Sequence, residues 1–255
     1  MRLAVISDIH GNLTALEAVL ADLEAAGGAD HLWVLGDHAA FGPRPAECIR
    51  RIQGLVETWG EKNIGFISGN TDRYIVTGAR PRSKPVDSEE QFAKLLKIRT
   101  QQDADFAWCL AQLSFAEYDW LAKLRHNLDI EVPGYGWIIG YHGTPGDDEG
   151  QLTPDTPIEE ADDALLDREG QIGVGGHIHR QMDRQFTRWR AINVGSVGLS
   201  FDMPGTAQYG LFTFEDNEIT IDLRAIPFDV EAVIADMQQV GNPAYEWIAR
   251  RLQSG

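Results

Sequence analysis

The feature that most constrains this chain is a recurrence near its start. Three apolar runs, RLAVIS (residues 2–7), HLWVL (31–35) and NIGFI (63–67), each give way abruptly to polar side chains and glycine: "SDIHG", "GDHAAFGP" and "SGNTD". Between them lie segments with apolar residues at helical spacing. The first carries Leu13, Leu16, Val19, Leu20 and Leu23 ahead of Gly27-Gly28; the second carries Ile49, Ile52, Leu55 and Val56 after Pro45. Residues spaced three and four apart form one helix face, and a glycine pair stops the helix. Strand–helix–strand–helix–strand at this spacing predicts parallel β-α-β units with the helices covering the sheet. In such a sheet the carboxyl ends of the strands share one edge, where open α/β folds place their sites.

The rest of the chain changes character. Residues 77–88 (TGARPRSKPVDS) form a Pro-punctuated polar connection, followed by helical patterns at 89–101, 104–112 and 116–124. From residue 127 strands dominate. NLDIEV and WIIGYH flank a PGYG turn as a hairpin, and further strands are expected near 171–174, 181–187, 190–194, 208–214 and 218–226, with EDNE turning between the last two. Two short helices, about 229–238 and 243–252, close the pattern. Helices beside two sets of strands predict an α/β protein, a four-layer α/β/β/α sandwich with two central mixed sheets. The expected organisation is a single domain over residues 1–255 with a mostly helical insertion at about 77–125, a length that one large domain accommodates.

Bulk properties narrow the function. With 22 Lys and Arg against 39 Asp and Glu, the formal charge is −17. A field of that sign repels nucleic-acid backbones and anionic membranes, so a polynucleotide partner is not expected. No apolar stretch approaches the ~18 residues of a membrane span, and the first aspartate arrives too early for a signal-peptide core. The two cysteines, Cys48 and Cys109, form no CxxC pair and read as free thiols. The expectation is a soluble, cytoplasmic protein. Its oligomeric state is not legible in the sequence.

The strand ends carry the chemistry. The first delivers Asp8 and His10, two apart and so on one side of an extended backbone; the second delivers Asp37 and the third Asn70. Later strands add His142 in "YHG" and His177 and His179 in "GGHIH". Each motif alone is weak, because Gly-Asp and Gly-Asn also make ordinary turns. Four of seven histidines at strand ends beside glycines, in this order, form a specific combination.

The blocks "SDIHG", "LGD", "SGNTD", "YHG" and "GGHIH" resemble the calcineurin-like metallophosphoesterase superfamily. "GDHAAFGP" and "NVGSVG" (193–198) are similar to its small prokaryotic phosphoesterases and phosphodiesterases. The resemblance spans residues 7–179 and agrees with the two-sheet sandwich. It implies two divalent transition-metal ions, Mn, Fe or Zn. One would be held by Asp8, His10, Asp37 and His179, the other by Asp37, Asn70, His142 and His177, with Asp37 bridging. Mixed imidazole and oxygen donors suit such ions better than Ca²⁺. It further implies hydrolysis of a phosphodiester or phosphoanhydride by a hydroxide held between the ions, on a small phosphate ester or nucleotide-like substrate.

One position departs from the family. The residue after the asparagine is usually a histidine that assists the leaving oxygen; here it is Thr71, which is no acid near neutral pH. The expectation is a steep dependence on leaving-group acidity. His38, next to Asp37, is a candidate replacement, with a packed imidazole beside the turn as the alternative. Asp72 is expected to bond Thr71 or Arg73. Asn70 and Arg73 are candidate substrate contacts, and an exposed arginine at a helix start is the alternative for Arg73. The acidic stretch GTPGDDEGQLTPDTP after His142 reads as a solvated loop or a lid. Competing readings are a protein-binding scaffold on the same fold and, within enzymes, a dinucleoside polyphosphate hydrolase or protein-phosphatase-like activity. A metallo-β-lactamase-type hydrolase would need His-x-His-x-Asp-His, which the chain lacks.

Overall fold

The structure, a computed structural model, describes residues 1–165 and 170–254. The amino-terminal half supplies β1 (Arg2–Ile6), α1 (Leu13–Ala25), β2 (His31–Val34), α2 (Pro45–Trp59) and β3 (Ile64–Phe66). β1 pairs with β2 and β2 with β3, both in parallel, as the periodicity predicts. After three more helices, α3 (Asn70–Thr77), α4 (Glu89–Gln112) and α5 (Phe115–Ala122), come β4 (Asn127–Val132), β5 (Gly136–Tyr141), α6 (Ile158–Leu165), β6 (Ile172–Gly175), β7 (Gln181–Gln185) and β8 (Arg190–Val194). The hairpin β9 (Thr206–Glu215) and β10 (Glu218–Pro227) precedes α7 (Val230–Gln239) and α8 (Tyr245–Ser254).

These strands form two five-stranded mixed sheets, ordered β10-β9-β1-β2-β3 and β4-β5-β6-β8-β7. In each, three adjacent strands run parallel and hairpin strands fill the remaining places: β1, β2 and β3 in the first, β5, β6 and β8 in the second. The β9–β10 turn uses Asp216 and Asn217, both left-handed (φ 51° and 64°), as a tight two-residue hairpin requires.

Alternation along the strands builds the layers. Leu3, Val5, Trp33, Phe212 and Phe214 point between the sheets, where they meet Leu128, Ile138, Val174, Ile192 and Val194. The opposite faces of the same first-sheet strands, Ala4, Ile6, Leu32, Val34, Tyr209 and Leu211, pack with Leu16, Val19 and Leu23 of α1 and Ile52 and Leu55 of α2. On the far side of the second sheet, Ile139, Tyr141 and Ala191 meet Ala161 and Leu165 of α6. The order is helix, sheet, sheet, helix: the expected four-layer sandwich.

Three elements differ from expectation. The patterns at 89–101 and 104–112 are one 24-residue helix, α4. No Gly or Pro interrupts the polar stretch between them, and Gln101 Nε2 bonds Asp105 Oδ1 across the supposed break at 2.7 Å. Helices α3 and α6, eight residues each, were not anticipated. The first opens on residues that read as a turn, and the second follows the long acidic loop. No helix among the described residues is long and apolar enough to cross a membrane.

Candidate metal centre

Asp8 and His10 follow β1, Asp37 follows β2, Asn70 opens α3 after β3, His142 follows β5, and His177 and His179 follow β6. The two sheets aim their parallel carboxyl edges at one place, so side chains 169 positions apart become neighbours. His10 Nε2 and His179 Nε2 face each other at 3.0 Å. Asp8 Oδ1 lies 3.2 Å from His179 Nε2 and 3.7 Å from His10 Nε2. Asp37 Oδ2 is 3.7 Å from His10 Nε2, and Asp37 Oδ1 is 3.5 Å from His142 Nε2. Asn70 Oδ1 is 3.0 Å from His142 Nε2. Asp8, His10, Asp37, Asn70, His142 and His179 are all buried. His177 is half-buried, its ring edge-on to His142 at 5.2 Å between centroids.

The backbone turns sharply to achieve this. Eight non-glycine residues among those described are left-handed, and Asp8, His10, Asp37, His177 and His179 are five of them. Each costs on the order of 1 kcal/mol, a strain that characteristically gathers at functional sites. Close approach also demands glycine: a Cβ on Gly69 would lie 2.1 Å from Asp37 Oδ1, and one on Gly176 2.4 Å from Asp8 Oδ2.

Supporting hydrogen bonds orient the cluster. His142 Nδ1 lies 2.7 Å from Leu35 O, and His179 Nδ1 lies 2.6 Å from Leu199 O. A carbonyl only accepts, so each Nδ1 carries the proton and, in the neutral ring, each Nε2 turns a lone pair inward, as metal-ligating histidines do. The His177 amide donates to Asp8 Oδ2 (2.9 Å) and the Thr71 amide to Asp37 Oδ1 (2.9 Å). The segment "NVGSVG" stitches the edge together: Ser196 Oγ donates to Asp8 O (2.8 Å), and the Val197 amide to Ser7 O (2.9 Å). Phe41 and Phe201 wall the site, stacking on His10 (5.1 Å) and His179 (4.5 Å). Nothing local in the sequence marks those two aromatics.

The electrostatics of the cluster are strongly interdependent. Burial pushes the Asp8 and Asp37 carboxyls up, yet the surrounding imidazoles prevail. Asp8 is held down to about 2 by His179 and His142, and Asp37 well below the usual range by His142 and His10. Burial lowers His10 and His177 to about 4. It also opposes the charging of His142, but Asp37 and Asp8 overcome it and raise that ring to about 10. Asp8 Oδ1 and His10 Nδ1 are buried without a hydrogen-bond partner. Asp8, His10 and His179, and likewise Asp8, Asp37 and His142, bring one donor atom each within 4.8 Å of one another, a set that could hold a metal ion. Mixed imidazole and carboxylate donors fit a divalent cation.

The remaining candidates lie elsewhere. His38 is fully buried, with Nε2 3.0 Å from Ile67 O and its ring against Trp120. It tethers the turn after β2 to β3 and has no open face toward a substrate. Asp72 bonds neither Thr71 nor the Arg73 side chain; its carboxylate accepts the amides of Asp37 (2.8 Å), His38 (3.0 Å) and Gly69 (2.9 Å), joining two strand ends. Arg73 is not free at the helix start. It grips Asp148 and Glu149 in the acidic loop. Thr71 Oγ1 is buried and unpartnered.

A two-sheet sandwich with an Asp, His and Asn cluster on its shared carboxyl edge defines the metallophosphoesterase class. The chain belongs to the calcineurin-like phosphoesterase superfamily, whose domain model matches residues 1–217. It is similar over its full length to an uncharacterised protein of Methanocaldococcus jannaschii, at 27% identity covering 99% of this chain and 98% of that one. A shorter match, 33% identical over 85 residues, covers 32% of the chain and 28% of the symmetrical bis(5'-nucleosyl)-tetraphosphatase of Cronobacter sakazakii. Among solved structures, a metallophosphoesterase from Sphaerobacter thermophilus superposes with a TM-score of 0.70 at 25% identity, covering 99% of this chain and 98% of that one. A hypothetical protein from Pyrococcus horikoshii gives 0.78 at 21%, covering 98% and 97%.

Proposed function

We propose that the chain is a metal-dependent hydrolase of phosphodiesters or phosphoanhydrides with a dinuclear centre. Asp8, His10, Asp37 and His179 would hold one ion and Asp37, Asn70, His142 and His177 the other. The observation that carries this reading is the convergence of His10 Nε2, His179 Nε2 and Asp8 Oδ1 on one buried point, where Asp8 Oδ1 has no hydrogen-bond partner and a cation would engage all three.

Two bound divalent ions supply Lewis acidity toward a phosphoryl oxygen and activate water near neutral pH. The chain's own groups do the rest. The amides of Thr71 and His177 fix the orientation of Asp37 and Asp8, and the Leu35 and Leu199 carbonyls fix two histidine tautomers. Phe41 and Phe201 exclude water from one side of the imidazoles. No protein acid stands at position 71, so the leaving oxygen departs with little proton help, which favours acidic leaving groups. A phosphoanhydride fits that demand. The partial match to symmetrical bis(5'-nucleosyl)-tetraphosphatases supports the same substrate class.

Elemental analysis of chain purified with Mn²⁺ or Zn²⁺, paired with a panel of phosphate esters and anhydrides, tests the reading. About two metals per chain and chelator-sensitive hydrolysis are expected. A metal-free chain under those conditions overturns it.

A further inference from the structure

A cavity of about 430 Å³ opens beside His142, and its other walls include Arg73, Arg80, Arg82 and the loop Asp147–Glu149. In a chain of net charge −17, three arginines within ten residues meet at this one place. Each of two guanidinium forks is filled by carboxylates. Arg73 Nε and Nη2 bond Asp148 at 2.6 and 2.8 Å, and Nη2 also reaches Glu149 at 2.8 Å. Arg82 Nη1 and Nη2 bond Asp147 at 2.8 and 2.7 Å, while its amide donates to Glu149 Oε2 at 2.8 Å.

The loop does not need these arginines to hold its turn. The Thr144 amide donates to Asp147 O (2.9 Å), the Asp147 amide returns to Thr144 O (3.0 Å), and Gly150 donates to Asp147 O (3.2 Å). The turn is thus closed by its own backbone, whichever partner the forks hold. A planar guanidinium fork matches carboxylate and phosphate oxygens alike. The Arg82–Asp147 pair is wet, 67% and 36% exposed, and exposed pairs are weak, so a more highly charged anion can exchange into it. Arg73 (29% exposed) holds the drier Asp148 and Glu149 (14% and 11%) and gives them up only to an anion that takes their place at the fork.

We propose that Arg73 and Arg82 form an anion subsite for a second phosphate of the substrate, beyond the one cleaved, and that Asp147, Asp148 and Glu149 fill it as internal stand-ins until substrate arrives. The inference rests on the phosphoesterase reading above and narrows it. The substrate carries at least two phosphates joined through an anhydride, and its distal phosphate displaces the loop carboxylates. Substrates with a single phosphate leave the latch shut and gain nothing from it.

Binding of the manganese salts of inorganic phosphate and imidodiphosphate, a non-cleaved diphosphate analogue, to the manganese-loaded full chain tests this by calorimetry. Three forms are compared: wild type, the Arg73→Gln/Arg82→Gln double variant and the Asp148→Asn/Glu149→Gln double variant. The preference for imidodiphosphate over phosphate should fall at least tenfold without the arginines and rise several-fold without the acids. The acid variant keeps both arginines, so it decides the matter should the arginine variant fail to fold. An unchanged preference in it would show that the arginines only pin the loop, and would overturn the subsite. The two readings fail separately. A chain that hydrolyses esters with no variant-dependent preference keeps the enzyme and loses the subsite. One that shows the preference without hydrolysis keeps the subsite and loses the enzyme.

Discussion

The amide of Thr71 donates a 2.9 Å hydrogen bond to Asp37 Oδ1, while the amide of Asp37 donates to the carboxylate of Asp72, the next residue along, at 2.8 Å. The two strand ends brace each other, and the side chain that would bridge two ions is set by a backbone group at the start of α3. The first turn of a helix carries partial positive charge, which suits a carboxylate.

The bridging role of Asp37 makes a prediction about stoichiometry. Asp37→Asn keeps an oxygen for the Thr71 amide but removes the charge, so bound metal should fall from about two per chain to one or none. Hydrolysis should drop at least a hundredfold, about 2.7 kcal/mol in the barrier. Thr71→Ala keeps the backbone bond and should retain both ions. Metal content by mass spectrometry separates these outcomes, and two ions retained in Asp37→Asn would contradict the bridge.

Metal should also stabilise the fold, because it relieves two buried carboxylates facing each other. Linkage gives about 2.7 kcal/mol at a hundredfold excess of ion over Kd. For a chain of this length that is roughly 5–10 °C in Tm. Calorimetric scans before and after chelation check it, and an unchanged Tm with metal loss verified counts against the centre.

Much of this was legible in the sequence because it is local. The β1–α1–β2–α2–β3 periodicity and the polar residues at strand ends are short-range patterns, and the parallel sheet turns them into neighbours. What was not legible is tertiary. The first residues of α3 read as a turn because Asp72, which accepts the Gly69 amide at that helix start, is also held by amides from another strand end. His38, adjoining Asp37, could be read as a proton donor or as an imidazole packed beside the turn, and it is packed. Its burial depends on Trp120, 82 positions away, and on Ile67 O. Arg73 looked free because its partners Asp148 and Glu149 lie beyond two further helices and two strands.

The burial of His38 sharpens the prediction for Thr71. Rates across a graded leaving-group series should depend steeply on leaving-group acidity in wild type. Thr71→His should flatten the dependence by raising the poorest substrates most, within the roughly 10²–10⁴-fold reach of general-acid help. His38→Ala should leave the slope alone while costing about 1–3 kcal/mol in denaturant unfolding, since it strips the tether to Ile67 and opens a void beneath Trp120. A slope that steepens in His38→Ala would return the proton-donor role to His38.

The last prediction concerns a carboxyl far from the metals. Asp105, on α4, is 6% exposed and receives one side-chain hydrogen bond, from Gln101. Burial raises its pKa to about 6 from 3.8, and the Gln101 bond only partly counters that. The sign follows from proton uptake. Between the two values the folded chain holds more protons at this site than the unfolded chain, so stability falls as pH rises through about 6. Below the unfolded value the site costs nothing; above the folded one the ionised, poorly solvated carboxylate carries the full penalty. The Gln101 bond offsets part of that penalty, leaving it on the order of 1 kcal/mol. Asp105→Asn, which stays neutral, should therefore raise Tm by about 2–4 °C at pH 8 and by much less at pH 4.5. Thermal scans of both proteins at the two pH values decide it. An equal shift at both would mean that packing rather than ionisation sets the difference, and a lower Tm at pH 8 would mean that the carboxylate stabilises α4 against the segment leading into α8 through Gln101, which also bonds Pro243 O.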